Sequence, residues 1–331
     1  MVFYYWLFSN ENNGKGFMKD SYQRDISYMR ISLTDRCNYA CTYCRPEISE
    51  HLNHSDILSY EEILKICRIA ISLGVVNFKI TGGEPTIRKG YIQFIQRLKN
   101  LSGVKQVTLT TNGSLFNKSD LNELKQIGID GINFSIDSLD KIEYKNICKK
   151  ENLDQVLRNL EYAYQIGIQV KINCVVTDSF PMDRMDFFLN YIQDKKIAIR
   201  FIEFMPLRLS QRSDTIQILE RALISNYEAT PYEQKLGNGP AHYYKIASYQ
   251  GHVGFIEALH SKFCSTCNRV RLSSIGYLKL CLFYPDGIDL KPYLNDDNQL
   301  LEIMKQTLLK KPKEHNFEKE DSLTIMNQIG G

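Results

Sequence analysis

Alternation constrains this chain more than any other feature. From residue 28 to residue 205, short runs rich in β-branched and aromatic side chains each lead into a longer segment with helical periodicity. The strand candidates are 28–34, 75–81, 106–111, 131–137, 169–177 and 197–204. The helix candidates between them include 59–73, 91–101, 118–127, 152–166 and 182–194. Ser59-Tyr60-Glu61-Glu62 is a capping box, which satisfies free amides in the first turn of the first helix. Gly74, Gly128 and Gly167 each follow a helix candidate, where a left-handed cap residue is favoured. Six βα units in succession imply a parallel sheet with right-handed crossovers. A partial (βα) barrel and a doubly wound sheet both satisfy the pattern, and both gather ligands at the C-terminal ends of their strands.

Polar and glycine residues fall at those ends. The first strand runs into Asp35-Arg36-Cys37, the second into Gly82-Gly83-Glu84-Pro85 and the third into Asn112-Gly113. The fourth ends in Asp137-Ser138 and the sixth in Glu203-Phe204-Met205-Pro206. Turn chemistry explains part of this. Five such ends on one rim point to a built site, which a bare α/β core does not need. The alternation stops after Met205. Residues 207–250 read as mixed and turn-rich, and a charged, mostly helical tail ends the chain. The expected division is an extension over residues 1–17, a barrel over 18–250, and a smaller C-terminal domain over 251–331 that closes the barrel mouth.

Composition excludes several classes. Among 331 residues, 43% are hydrophobic and 24% charged, so a sizeable core is affordable and disorder is not indicated. A net charge of +3 is too small for a protein that coats nucleic acid. No run of ~20 apolar residues exists to cross a membrane. The apolar start lacks a basic segment and a cleavage site, and Met18 is an alternative start, so a cytoplasmic location is expected.

Nine cysteines, an odd number without a secretion signal, favour metal or redox chemistry over disulfides. Cys67, Cys148 and Cys174 are scattered and read as small core residues. Cys37, Cys41 and Cys44 form a C-x3-C-x2-C loop at the end of the first strand. Three thiolates leave one iron of a [4Fe–4S] cluster without a protein ligand, and an open iron can chelate a small molecule. The competing reading is a closed Cys3His zinc site using His51 or His54. Cys264, Cys267 and Cys281 form a second group, for which His252 or His260 could complete a zinc site. Taken alone, that group reads as a zinc knuckle; the pairing with the first group turns it towards a second cluster.

With these residues in place, the chain resembles the radical S-adenosylmethionine superfamily and, more narrowly, the GTP 3′,8-cyclase family of molybdenum cofactor biosynthesis. The resemblance rests on Arg30-Ile31-Ser32-Leu33-Thr34-Asp35-Arg36-Cys37-Asn38, Ile80-Thr81-Gly82-Gly83-Glu84-Pro85 and Thr110-Thr111-Asn112-Gly113. It also rests on Arg200-Phe201-Ile202-Glu203-Phe204-Met205-Pro206, on Cys264-Ser265-Thr266-Cys267-Asn268-Arg269-Val270-Arg271 with Cys281, and on the terminal Gly330-Gly331. It implies a partial (βα)6 TIM-type barrel with a cluster-binding C-terminal domain. It further implies two [4Fe–4S] clusters, the first on Cys37, Cys41 and Cys44 with S-adenosylmethionine on its open iron. Tyr43, Gly83, Ser135 and Met205 match positions that line the S-adenosylmethionine site.

The cofactor would be cleaved reductively to a 5′-deoxyadenosyl radical, which takes hydrogen from C3′ of GTP so that C3′ attacks C8. This would make the chain a lyase that forms (8S)-3′,8-cyclo-7,8-dihydroguanosine 5′-triphosphate. Arg30, Lys79, Thr111, Lys171, Arg200, Arg269, Val270 and Arg271 match or neighbour GTP-facing positions, with Arg269, Arg271, Gly330 and Gly331 needed for activity. The ordinary reading of each basic residue is a solvated surface charge, and it is strongest for Lys171. Lys79 stands where the family usually has arginine, and it keeps the charge without the fork. Asn77 and Arg45 are further departures. The implied partners are a flavodoxin- or ferredoxin-type electron donor, the downstream cyclic pyranopterin monophosphate synthase, and a second copy in a homodimer. The rival readings are a peptide-modifying radical enzyme and a zinc-stabilised binding protein without catalysis.

Overall fold

The computed structural model describes residues 17–44, 52–205 and 213–316. Arg45, His51, most of the N-terminal extension and the terminal Gly330-Gly331 lie outside the described residues. The first six strands are β1 (Tyr28–Ser32), β2 (Asn77–Thr81), β3 (Gln106–Thr111), β4 (Gly131–Ser135), β5 (Val170–Val176) and β6 (Ala198–Glu203). They pair in that order and in parallel, as the alternation predicts. Between them run α1 (Tyr60–Ser72), α2 (Tyr91–Lys99), α3 (Lys118–Gln126), α4 (Lys141–Cys148), α5 (Leu153–Gln165) and α6 (Met182–Ile192). The capping box at Ser59 is formed in both directions, through the Ser59 hydroxyl at 3.2 Å and the Glu62 carboxylate at 2.6 Å. Gly74 adopts φ +98°, and a Cβ there would lie 2.9 Å from the Phe17 backbone, so the turn out of α1 needs glycine on both counts.

The described residues after Met205 carry more regular structure than their mixed composition suggests. They form α7 (Thr215–Tyr227), β7 (Thr230–Tyr232), β8 (His242–Lys245) and β9 (His252–Ile256). Then follow β10 (Arg269–Leu272), β11 (Tyr277–Lys279), β12 (Gly287–Asp289) and α8 (Asp297–Leu309). These strands extend both edges of the barrel sheet. β9 adds in parallel to β6 and β10 adds in parallel to β1, giving the order β12-β11-β10-β1-β2-β3-β4-β5-β6-β9-β8-β7. The central eight strands are parallel, and the sheet curves without closing, as a partial barrel. Their short length and distant partners hid β9 and β10 from a search for βα repeats.

Period two separates the faces of each strand. Ile31, Ile80, Leu109, Phe134, Ile172, Phe201 and Leu272 face the helices and are fully buried. Cys67, Cys148 and Cys174 join this core, as expected for small apolar side chains. The opposite face carries Arg30, Lys79, Asn133, Lys171, Arg200 and Arg271, brought side by side by register. Arg30 pairs with both Lys79 and Arg271, Asn133 with Lys171, and Asn173 with Arg200.

Candidate active site

The first cysteine loop is built against the strand ends by backbone contact. The Gly83 amide donates to the Thr34 carbonyl at 2.7 Å, and the Glu84 amide to the Arg36 carbonyl at 2.8 Å. A Cβ on Gly82 would come within 2.7 Å of the Thr34 oxygen, and one on Gly83 would strike the Asp35 and Arg36 carbonyls. The Gly-Gly pair therefore exists so that β2 and the loop can touch. From the other side, Ala40 and Thr42 amides reach Cys148 and Ile147 carbonyls at 3.3 and 3.0 Å. The Tyr39 hydroxyl bonds the Tyr144 hydroxyl at 2.9 Å and Asn152 at 2.8 Å. Glu84, fully buried, accepts from Thr86, Thr111 and the Asn112 amide at 2.6–3.0 Å, tying the ends of β2 and β3. Burial still pushes its carboxyl above the usual range.

The three thiols are partly exposed neighbours. Burial pushes the Cys41 thiol far up, and Asp137, Cys44 and Cys37 add to the rise. The Tyr39 amide points at the Cys37 sulfur, 3.4 Å away. Such thiols, gathered on one loop, form a cradle for a thiolate-bound metal centre. Beneath it, Tyr43 donates to Asp137 at 2.8 Å, while Asp137 also accepts from the Val175 amide at 2.9 Å. Ser135 and Met205 stand at the ends of β4 and β6 on the same rim.

Below this rim the inner face is cationic. Arg200, buried, donates to Asn173 at 2.9 Å and to Asn133 at 2.5 Å. Lys171 donates to the Leu236 carbonyl and is pushed down to about 8 by burial and by Arg200. Burial and Arg271 push Arg30 down to about 9, and burial with Arg200 and Arg30 pushes Lys79 well below its usual value. The buried Arg271 Nε finds no hydrogen-bond partner among the described residues. None of Lys79, Lys171, Arg200, Arg269 and Arg271 meets a carboxylate there either. Desolvated like charges are costly until an anion joins them. Loop residues 237–239 close the N-terminal end of this chamber. Asn238 bonds Gln106 at 2.6 Å, and Arg269 reaches the Asn238 carbonyl at 3.4 Å. Lys171, expected to turn outward if merely a surface charge, faces inward.

Two residues matched to the nucleotide lie elsewhere. Thr111 pairs in register with Phe134, on the helix-facing side, and its hydroxyl goes to Glu84 at 2.7 Å. Val270 is a buried core residue paired with Met29.

The second trio sits at the opposite end of the barrel. Asn268 binds the backbone at Ser27, where β1 begins, so Cys264 and Cys267 precede β10 at its N-terminal end. Antiparallel β11 returns Cys281 to the same place. The second cysteine group therefore lies at the strand N-termini, away from the rim that carries the first. The five-residue strand β1 lies between the two trios. Burial and the neighbouring Cys281 and Cys267 raise Cys264. Burial would raise Cys267 too, but Lys311, Arg269 and Arg271 outweigh it and bring the thiol down. Sequence reasoning missed the residues that brace this loop. Lys311, buried, donates to the Arg269 and Leu280 carbonyls at 2.8 and 2.6 Å. Arg24 reaches Asp20, Cys264, Pro312 and Lys313 at 2.6–2.8 Å. Nothing local in the sequence marks these braces, whose contacts to the loop span 31 to 289 residues.

Neither histidine considered as a zinc ligand joins this trio. His260 bridges Glu203 and Asp214, and His252 packs on Tyr232 with ring centres 4.2 Å apart.

Two family models divide the chain: the Radical SAM superfamily over residues 31–192 and Molybdenum Cofactor Synthesis C over residues 197–317. A protein named GTP 3′,8-cyclase from Clostridium perfringens (strain 13 / Type A) is 34% identical over 329 residues, covering 95% of this chain and 100% of the relative. Those from Alkaliphilus oremlandii and Thermodesulfovibrio yellowstonii are 37% and 38% identical over 321 and 326 residues, with the same coverage. Among solved structures, SuiB of Streptococcus suis bound to the precursor peptide SuiA matches with TM-score 0.64 and 15% identity, over 93% of this chain and 72% of that one. SuiB bound to S-adenosylmethionine matches with TM-score 0.62 and 16% identity, over 83% and 65%. At such identity these two likenesses speak for the fold alone.

Proposed function

The chain belongs to the GTP 3′,8-cyclase family of the radical SAM superfamily, and from this premise we propose that it cyclises GTP between ribose C3′ and guanine C8, acting as a lyase at the first step of molybdenum cofactor biosynthesis. The observation that carries this reading is the inner cationic face lying between two cysteine trios. Cys37, Cys41 and Cys44 would hold a [4Fe–4S] cluster at the strand C-termini, with Tyr43, Gly83, Ser135 and Met205 around S-adenosylmethionine. Cys264, Cys267 and Cys281 would hold a second cluster at the other mouth, facing guanine. When bound, these groups supply one-electron radical chemistry at C3′ of the ribose.

The chain's own residues bind, orient and enclose. Lys79 and Lys171 offer point charges, whereas Arg30, Arg200, Arg269 and Arg271 offer planar forks that fit phosphate oxygens in pairs. The triphosphate relieves their mutual repulsion, so part of the binding energy was stored as unfavourable burial of like charge. Lys171 and Arg269 must first leave the Leu236 and Asn238 carbonyls, which gives the loop at 236–239 a role in admitting the nucleotide. A peptide offers nothing comparable for six cations. Gly330 and Gly331 fall outside the described residues, and their part in activity stays with the proposal, as do an electron donor of flavodoxin or ferredoxin type, the downstream cyclic pyranopterin monophosphate synthase, a homodimer and a cytoplasmic location. No described helix is long and apolar enough to cross a membrane.

The test is an anaerobic assay of protein reconstituted with iron and sulfide, given S-adenosylmethionine, a reductant and GTP. The expected product is a nucleotide of the same mass as GTP carrying a C3′–C8 bond, with 5′-deoxyadenosine formed in step. Cofactor cleavage that ignores GTP would refute the reading.

A further inference from the structure

Away from the cationic chamber, on the outer face of the sheet, three ligating side chains converge. Glu220 lies on α7, His242 opens β8, and Glu257 directly follows β9. Alternation along β8 sends Tyr243 inward, where its ring covers Gly254 and meets Arg200, so His242 and Tyr244 project outward towards α7. One ligand atom from each of Glu220, His242 and Glu257 lies within 4.8 Å of the other two, and no other such group is found among the described residues.

Glu257 is the decisive residue. It is only 5% exposed, yet among the described residues its carboxylate makes no hydrogen bond and no ion pair. It is nevertheless held beside a second carboxylate. Two acids at this distance repel, and a cation held between them relieves that repulsion. The other two ligands are pre-oriented. Tyr244 donates to Glu220 Oε1 at 2.7 Å, and the His242 Nε2 lies 2.7 Å from the same oxygen. The His242 ring stacks on Phe255 with centroids 6.0 Å apart and planes at 23°. Its exposed edge leaves a path for an ion to enter.

The geometry points to a site for one divalent transition ion of the zinc class, held by Glu220, His242 and Glu257 and separate from both cysteine trios. An imidazole with two carboxylates is a borderline ligand set; magnesium and calcium favour oxygen alone. Three protein ligands leave a coordination position for water. The ion would clamp α7 to the β8–β9 edge, and its binding energy would add to the stability of the folded state. Zinc found in the purified protein would then say nothing about the cysteines.

The test uses the reconstituted, cluster-loaded protein dialysed against zinc chloride, with zinc and iron counted by plasma mass spectrometry. One zinc per chain is expected beyond the iron, together with a higher thermal midpoint when zinc is present. His242→Ala and Glu257→Gln should each weaken zinc binding by about tenfold or more, the lower limit seen when even supporting residues of a metal site are lost. Replacing Cys264, Cys267 and Cys281 with serine should leave it intact. His242→Gln, which keeps the side-chain bulk, makes the same comparison should His242→Ala fail to fold by circular dichroism. Absence of zinc beyond the iron, or zinc that disappears with the cysteines and survives His242→Ala, overturns the assignment.

Discussion

Six cations share one face of the barrel, and each makes the others harder to charge. The consequence for Lys171 is a pH limit. Its pKa is pushed down to about 8, so above that pH the free protein loses a charge the triphosphate needs. The kcat/KM for GTP should fall as pH rises through about 8, and Lys171→Met should remove that limb of the profile while lowering the plateau. Arg269→Lys and Arg271→Lys keep the charge and lose the fork. Charged hydrogen bonds of this kind contribute about 1.5–3 kcal/mol, so KM for GTP should rise roughly 10- to 100-fold. Iron content should not change. The family resemblance located these residues, and the alternation of Arg269 and Arg271 beside a cysteine motif, which puts both on one face, weakened their reading as surface charges. It could not separate Thr111 from that face, because the face of a strand-end residue depends on register. Register shows only in the pairing of Thr111 with Phe134.

At the scale of elements, two braces hold the second cysteine loop, and both are long-range. Lys311 joins β10 to the turn before Cys281, and Arg24 joins the Cys264 carbonyl to residues 312 and 313. Lys311→Met should leave the first cysteine loop untouched and destabilise the second. Reconstituted iron would then drop from about eight to about four per chain, since each cluster carries four irons. His260 clamps the end of β6 to the start of α7. Burial alone would lower its pKa, but Glu203 and Asp214 outweigh burial and raise it. A group whose folded pKa is raised stabilises fully below its unfolded value of about 6.5, and the benefit disappears as pH rises through the folded value. The thermal midpoint of the native protein should therefore fall over that rise relative to His260→Gln. The six βα units, the capping box and the first cysteine loop were all legible, because their signals lie within a few residues. The braces and strands β9 and β10 were not, since their partners lie up to 289 residues away.

At the scale of the whole molecule, one apolar layer between sheet and helices supports both ends of the site. Phe201 is fully buried and meets Phe180, Phe188 and Phe255 with ring centres 5.7–5.9 Å apart. Phe201→Ala should cost about 3–5 kcal/mol in denaturant unfolding, because no neighbour can fill the cavity left behind. The βα alternation foretold a parallel sheet, and the family resemblance implied that it is a partial barrel. It did not foretell that the later strands lengthen both edges, which places the two cysteine trios at opposite mouths of one chamber.

That arrangement is tested most directly by an anaerobic structure of the reconstituted protein with GTP. The triphosphate should lie among Lys171, Arg200 and their cationic neighbours, with guanine turned towards Cys264, Cys267 and Cys281 and a four-iron centre on each trio. GTP bound outside the chamber, or a single tetrahedral ion closed by a fourth side chain in either loop, would contradict it.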